Sequence, residues 1–248
     1  MENYYDIEGI NINSIDYKEN NKILKVFTKE LGVISVMYQN RNKYQNQFDI
    51  GFDLFAMCKF DLIKGKNFYY LQDIDLIKSN FYLREDVFKN AYATVIIDFI
   101  KNIMFEESPD EKIYGLVIKT IDMLKYNYDV IDLLNAFMIK VTAFSGVQPI
   151  LDNCIICGAN KKGAYRFSID IGGIICDNCK TDDYFDTYLN DIEIRYLKYL
   201  LYNKLEKIEG IKIDKSSKIK IRKLLSKYLI KNFDIKEFNS IKFLNYLD

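Results

Sequence analysis

The chain has 248 residues and carries 35 basic and 35 acidic groups, so its formal charge is zero. Some 49% of residues are apolar and 28% are charged, enough to build a core and to exclude a chain disordered by composition. There is no His and no Trp, which excludes Ser-His-Asp and Cys-His nucleophile systems, imidazole acid–base catalysis and His metal ligands.

No apolar run approaches the roughly 18 residues that span a bilayer, so no membrane segment is expected. The first residues are acidic and lack the basic start and apolar stretch of a signal peptide. A cytoplasmic protein is expected. Lys far outnumbers Arg, and Asn, Ile, Tyr and Phe are abundant. Codons rich in A and T explain that bias, so the 20 Tyr are not by themselves a sign of base stacking.

Residues 1–78 read as β. Candidate strands are Asn3–Ile12, Lys22–Thr28, Val33–Tyr38, Phe52–Ile63 and Asn67–Ile77. Lys29–Gly32 and Lys64–Lys66 supply turns. Five strands in this length suit a small closed barrel of OB type, and an SH3-like barrel fits the count too. From Phe52 to Leu62 every second residue is apolar, which puts Cys58 on a buried face as an inert thiol.

The period then changes from two to that of a helix. Phe88, Tyr92, Val95 and Phe99 follow i, i+4, i+7, i+11 within a helix over 85–105. Further helices are expected over 111–126 and 129–145, with Pro109 near the start of the first. Residues 187–206 and 216–231 are again helical, and Ile241–Leu247 is a short final segment. The fold class is therefore α+β, in four parts. These are a barrel (1–78), a first helical part (79–150), a cysteine module (151–183) and a C-terminal helical part (184–248).

The cysteine module carries Cys154, Cys157, Cys176 and Cys179 in the pattern C-x2-C-x18-C-x2-C. A two-residue gap lets two thiolates converge on one cation at about 2.3 Å, and four thiolates fill a tetrahedron with no place for water. One structural Zn2+ is expected. Disulfides do not suit a cytoplasmic chain, two redox pairs are surplus, and paired spacing fits zinc better than an iron–sulfur cluster.

Charge is uneven. Residues 79–153 hold 7 basic and 11 acidic groups, and residues 184–248 hold 14 and 9. On the helix over 216–231 and its approach, Lys215, Lys218 and Arg222 follow i, i+3, i+7, and Lys220, Lys223 and Lys227 repeat the spacing. Ile221, Leu224, Leu225 and Tyr228 supply its buried face. The cations suit phosphates or an acidic protein tail, and equally a solvated surface made Lys-rich by codon bias.

The order barrel, helices, inserted four-cysteine ribbon and further helices resembles the RecO family of bacterial recombination mediators. Residues Lys22–Gly32 look like the family's barrel strand and turn, and Tyr70–Ser79, Phe81–Asp86 and Ala91–Ala93 like its passage into the first helix. Cys154–Cys179 matches its zinc module, and Phe238–Leu244 its C-terminal motif. The resemblance implies a protein without catalytic turnover. It implies binding to single- and double-stranded DNA, annealing of complementary strands, and binding to RecR and to the tail of single-stranded DNA-binding protein. It also implies help in loading RecA onto coated strands, and a nucleoid-associated location. Family members carry several basic residues in a barrel loop where this chain offers only Arg41 and Lys43, with Tyr44 as a stacking ring. An alternative is a zinc-ribbon adaptor that binds proteins and never DNA. A metal-dependent nuclease lacks support, since no paired-carboxylate motif or phosphate-binding Gly-rich loop is present.

Overall fold

A computed structural model describes residues 2–18, 21–39, 49–160, 165–179, 186–210 and 212–247. The fold is α+β and forms two compact units, Met1–Lys125 and Tyr126–Asp248.

The first unit contains strands β1 (Asn3–Tyr17), β2 (Asn21–Thr28), β3 (Gly32–Gln39), β4 (Met57–Lys64) and β5 (Tyr69–Lys78). They close into a barrel in the order β1-β2-β3-β5-β4. β1 serves two neighbours: Gly9–Tyr17 pairs with β2 and Asn3–Ile10 with β4, with register shifts near Asn11 and near Tyr4 that bend the strand around the barrel. β3 and β5 meet in parallel at Val36–Tyr69 and Met37–Tyr70. That strand order, with one parallel closure, makes the barrel OB-like rather than SH3-like. Leu24, Val26, Ile34, Val36, Phe60 and Leu62 fill the interior. Cys58 lies among them, and burial pushes its thiol up to about 12, so it stays protonated and inert.

Two strand boundaries differ from expectation. β1 runs to Tyr17 rather than Ile12, because β2 pairs with it to the end even though its last residues are polar. β4 begins at Met57 rather than Phe52. Asp49–Phe52 form a 3-10 turn, and the fully buried Asn11 amide donates to Phe52 O at 2.6 Å and Asp53 O at 3.1 Å. Phe55 takes φ 71°, and Asn80 Nδ2 donates to its carbonyl at 2.9 Å. Side-chain amides thus hold the backbone in a turn where apolar alternation alone points to a strand.

Among the described residues, the helices α1 (Tyr82–Glu85), α2 (Val87–Ile103) and α3 (Glu111–Met123) follow the barrel. Asp86 and Asp110 cap the two longer ones through their carboxylates. The chain between α2 and α3 returns to the barrel. Val33 and Glu106 form a parallel bridge, and Glu107 N–H donates to Val33 O at 3.0 Å. Gly32 sits at the contact with φ 71°, where an added Cβ would lie 2.5 Å from Ser108 O. Gly32→Ala should therefore destabilise the barrel by about 2 kcal/mol or more, from left-handed strain plus the forced backbone shift. A lowered urea midpoint checks this, and an unchanged midpoint would count against the packing described.

The second unit is built on α4 (Val130–Phe144), whose Leu133, Phe137, Met138 and Val141 are fully buried. α5 (Asp191–Tyr202) and α6 (Lys215–Asn232) pack on α4, and α7 (Asn239–Leu247) buries Ile241 and Leu244. Between α4 and α5 lies a three-stranded sheet, β6 (Tyr165–Ser168), β7 (Gly173–Cys176) and β8 (Thr187–Leu189), in the order β7-β6-β8. Helix α5 starts later than the expected 187, because residues 187–189 pair with β6 and Asn190 with Glu193 then forms a reciprocal capping box.

Candidate metal centre and basic surface

The two cysteine pairs come from two tight turns. In the first, Gly158 takes φ 71° and its N–H donates to Cys154 O at 2.8 Å, while Cys154 N–H donates to Ala159 O at 3.0 Å. In the second, β7 delivers Cys176 and the Cys179 N–H donates back to Cys176 O at 3.1 Å. The four Sγ atoms all lie within 4.8 Å of one another. Separations of 3.8 Å for Cys154–Cys179, 3.7 Å for Cys157–Cys176 and 3.7 Å for Cys176–Cys179 are far too long for disulfides. They match the roughly 3.8 Å edge of a tetrahedron with metal–sulfur bonds of about 2.3 Å.

The protonation of the cluster points the same way. Burial pushes the Cys154 thiol up, but backbone N–H groups, that of Cys157 foremost, outweigh it and bring it down to about 6. Cys179 is pushed up to about 12 by the Cys157 thiol first, then by burial and the other two sulfurs. A cation among the sulfurs would favour their thiolate forms. Cys154, Cys157, Cys176 and Cys179 thus form a donor set that can hold one metal ion, with every tetrahedral position supplied by protein.

Several contacts pin this ribbon to the helices of its own unit. Phe167 packs edge-on against Tyr228 of α6 with ring centroids 5.9 Å apart, and Tyr228 OH donates to Val147 O at 3.0 Å. Lys198 of α5 pairs with Asp152 at 2.7 Å, and Lys231 of α6 pairs with Asp170. Arg166, on β6, donates through Nη2 to Cys176 O at 3.2 Å and to Cys179 O. Neither spacing nor periodicity singles out Arg166, which lies inside the 18-residue gap between the cysteine pairs.

The expected basic stripes lie on α6, and their members meet different surroundings. Lys215, Lys223 and Lys227 are exposed. Lys218 Nζ donates to Asp129 and Asp132, each at 2.7 Å. Lys220 holds both oxygens of the buried Glu193 at 2.9 and 2.8 Å. Arg222 is 1% exposed and donates to Asn245 Oδ1 of α7 at 2.9 Å. Lys220, Lys223 and Lys227 border a groove of about 290 Å³ with Ile219, Leu224 and Ser216 on α6 and Asp186 and Thr187 by β8. The expected apolar face of Ile221, Leu224, Leu225 and Tyr228 is buried.

In the barrel, Lys22, Lys25, Lys59 and Lys64 each lie within 3.3 Å of a carboxylate, from Asp16, Glu106, Asp6 and Glu107 respectively. Arg41, Lys43 and Tyr44 lie outside the described residues. No helix among the described residues is long and apolar enough to cross a membrane.

The geometry agrees with what comparison with known proteins finds. A family model described as Recombination protein O N terminal matches residues 1–80, and one described as Recombination protein O C terminal matches residues 84–238. Similar curated proteins bear the name DNA repair protein RecO. One from Alkaliphilus metalliredigens is 27% identical over 95% of this chain and 96% of its own length. One from Thermoanaerobacter is 27% identical over 92% of each, and one from Bacillus pumilus is 28% identical over 97% of this chain and 93% of its own. With both halves matched and the OB-like barrel and four-cysteine ribbon in their expected order, the chain belongs to the RecO family of DNA repair proteins.

Proposed function

We propose that this protein is a recombination mediator of the RecF pathway, without catalytic turnover, acting in the cytoplasm on the nucleoid. It binds single- and double-stranded DNA, anneals complementary strands and helps load RecA onto strands coated by single-stranded DNA-binding protein, with RecR as partner. The resident metal is one structural Zn2+. Zinc suits an all-thiolate tetrahedron made of two C-x2-C turns, and its role there is to hold backbone, not to activate water.

The observation that carries the DNA reading is the row of exposed cations on α6, Lys215, Lys223 and Lys227, in a chain whose family is one of DNA repair. Phosphate contacts dominate such affinity and release counterions. Lys218, Lys220 and Arg222 flank that row and hold it in place through their own partners. Arg41, Lys43 and Tyr44 add a second contact region from the barrel. If about five phosphates of a single strand are neutralised, the slope of log affinity against log salt should be about −3.5, a fall of roughly 100-fold between 50 and 200 mM.

Replacing Lys223 and Lys227 with Ala removes two such contacts. The slope should then fall to about −2, equally for all sequences, because phosphate contacts do not read bases. Fluorescence anisotropy with labelled oligo-dT measures it. Binding that ignores salt would sink the proposal.

A second reading is favoured by one feature. The groove beside Lys220, Lys223 and Lys227 joins cations to apolar Ile219 and Leu224, which suits the acidic, apolar-ended tail of single-stranded DNA-binding protein as well as DNA. An adaptor that binds only proteins would take up the tail peptide and leave oligo-dT free at low salt.

A further inference from the structure

The metal knot rests on a residue that is not one of its ligands. The second cysteine turn exposes two carbonyls, those of Cys176 and Cys179, and both accept from the same nitrogen, Nη2 of Arg166. Arg166 is anchored on the central strand β6 of the ribbon sheet, where its backbone lies opposite Ile175 of β7 and Tyr188 of β8. The guanidinium therefore links the central strand of the sheet to the second cysteine turn. No equivalent side chain serves the first turn among the described residues. There Gly158 and Ala159 close the loop by backbone hydrogen bonds alone.

Two physical consequences follow. One nitrogen, Nη2, ties both carbonyls to β6, so the Cys176 and Cys179 sulfurs are presented together. It also brings one positive charge to a cluster whose four thiolates leave a net charge of −2 when a divalent ion is bound. Both effects favour the metal-bound state over the empty one. Outer partners of this kind typically change metal affinity by about 10- to 100-fold.

We infer that Arg166 is the positioning residue of the metal centre, clamping the Cys176–Cys179 turn through its two carbonyls and offsetting the negative charge of the tetrathiolate. This inference rests on the reading of the four cysteines as a metal site.

The test uses the full chain. Wild type, Arg166→Lys and Arg166→Met are loaded with zinc, and its release to a colorimetric chelator is timed. They are then loaded with Co2+, and the thiolate-to-cobalt charge-transfer band is recorded. Lysine keeps the charge but cannot reach both carbonyls in the same way. Release should be several-fold faster in Arg166→Lys and roughly 10- to 100-fold faster in Arg166→Met. The charge-transfer band should move to longer wavelength in Arg166→Met, where the thiolates lose a neighbouring cation, and hold its position in Arg166→Lys. A merely structural role would not move that band in a folded, loaded protein.

Wild-type release from Arg166→Lys, or an unshifted band in Arg166→Met, overturns the inference. If Arg166→Met fails to fold, the release rate of Arg166→Lys decides alone. A wild-type protein that takes up neither metal sinks the metal reading itself, which separates the two failures.

Discussion

If the proposed zinc sits among the four cysteines, removing it should unfold much of the second unit. A structural zinc held by four thiolates has an apparent binding energy of roughly 10–16 kcal/mol, against a whole-domain stability of about 5–15 kcal/mol. The ribbon has little else to hold it. β6 and β7 have 4 residues each and β8 has 3, too few for an independent sheet. The loss should spread, because Phe167, Asp170 and Asp152 of the ribbon tie into Tyr228, Lys231 and Lys198 on α6 and α5. Cys176→Ala should act like chelation, since it breaks the tetrahedron and leaves three thiols crowded. Hydrogen exchange followed by mass spectrometry reads the outcome segment by segment. Protection should vanish over residues 165–179 and weaken along α6, while the barrel strands, whose one cysteine is the inert Cys58, stay protected. A metal-free protein with full protection in both units would refute this.

The four-cysteine cluster was legible in the sequence because its information is local. Each C-x2-C pair lies within one turn, and Gly158 marks the first turn by residue type alone. The barrel was legible through alternation in the second half of the 52–63 stretch, where Cys58, Phe60 and Leu62 are buried and Lys59 and Asp61 are not. By contrast, β2 and β3 bury residues of both faces, Val26 with Phe27 and Val36 with Met37. Alternation failed at Phe52–Ala56. There the deciding group is the amide of Asn11, some 41 residues earlier, which holds Phe52 O. The helical reading failed at Thr187–Leu189, a strand too short to show a period and stabilised by pairing with β6. The capping box of Asn190 and Glu193 was present in the sequence as Asn-x-x-Glu, a local signal that places the true helix start.

The basic helix shows the limit most clearly. Residue type and spacing place Lys215, Lys218, Lys220, Arg222, Lys223 and Lys227 on two stripes, and the helix forms as expected. What periodicity does not carry is the identity of the partners. The acids that meet Lys218 lie 89 and 86 residues away, and the one that meets Lys220 is 27 away. Arg222 is covered by α7, whose Asn245 lies 23 residues on. Long-range packing thus divides the two stripes into exposed charges and cations held by partners.

Those partners give the second large expected effect, at Asp132. This carboxylate is 3% exposed on α4. Its Oδ1 accepts from Tyr196 OH of α5 at 2.6 Å and its Oδ2 from Lys218 Nζ of α6 at 2.7 Å. Asn135 Nδ2 extends the network to Tyr196 OH at 3.2 Å and to Lys218 O at 3.0 Å. Three helices therefore meet at one side chain. Asp132→Ala strips the acceptor from a buried tyrosine hydroxyl, leaves Lys218 with Asp129 alone and opens a cavity, and should cost about 3 kcal/mol or more. Asp132→Asn keeps the shape and an acceptor, and should cost roughly 1 kcal/mol.

The pH dependence separates the causes. Burial raises the Asp132 carboxyl above its usual range, outweighing Lys218 and Tyr196, while Asp129 and Asp132 together raise Lys218 despite its burial. The lysine gains two carboxylates and Asp132 only a share in one lysine, so the pair resists protonation change at Lys218 and tolerates it at Asp132. A carboxyl whose folded pKa lies above its unfolded value binds its proton more tightly in the folded state. Its contribution to stability is therefore largest in acid and declines as pH rises from the unfolded value, about 3.9, through the folded one. Urea melts of wild type and Asp132→Asn across pH 4 to 7 should show the wild-type advantage shrinking toward neutrality. An advantage that grows with pH would mean the Lys218 ion pair, not the burial of the carboxylate, governs how these helices are joined.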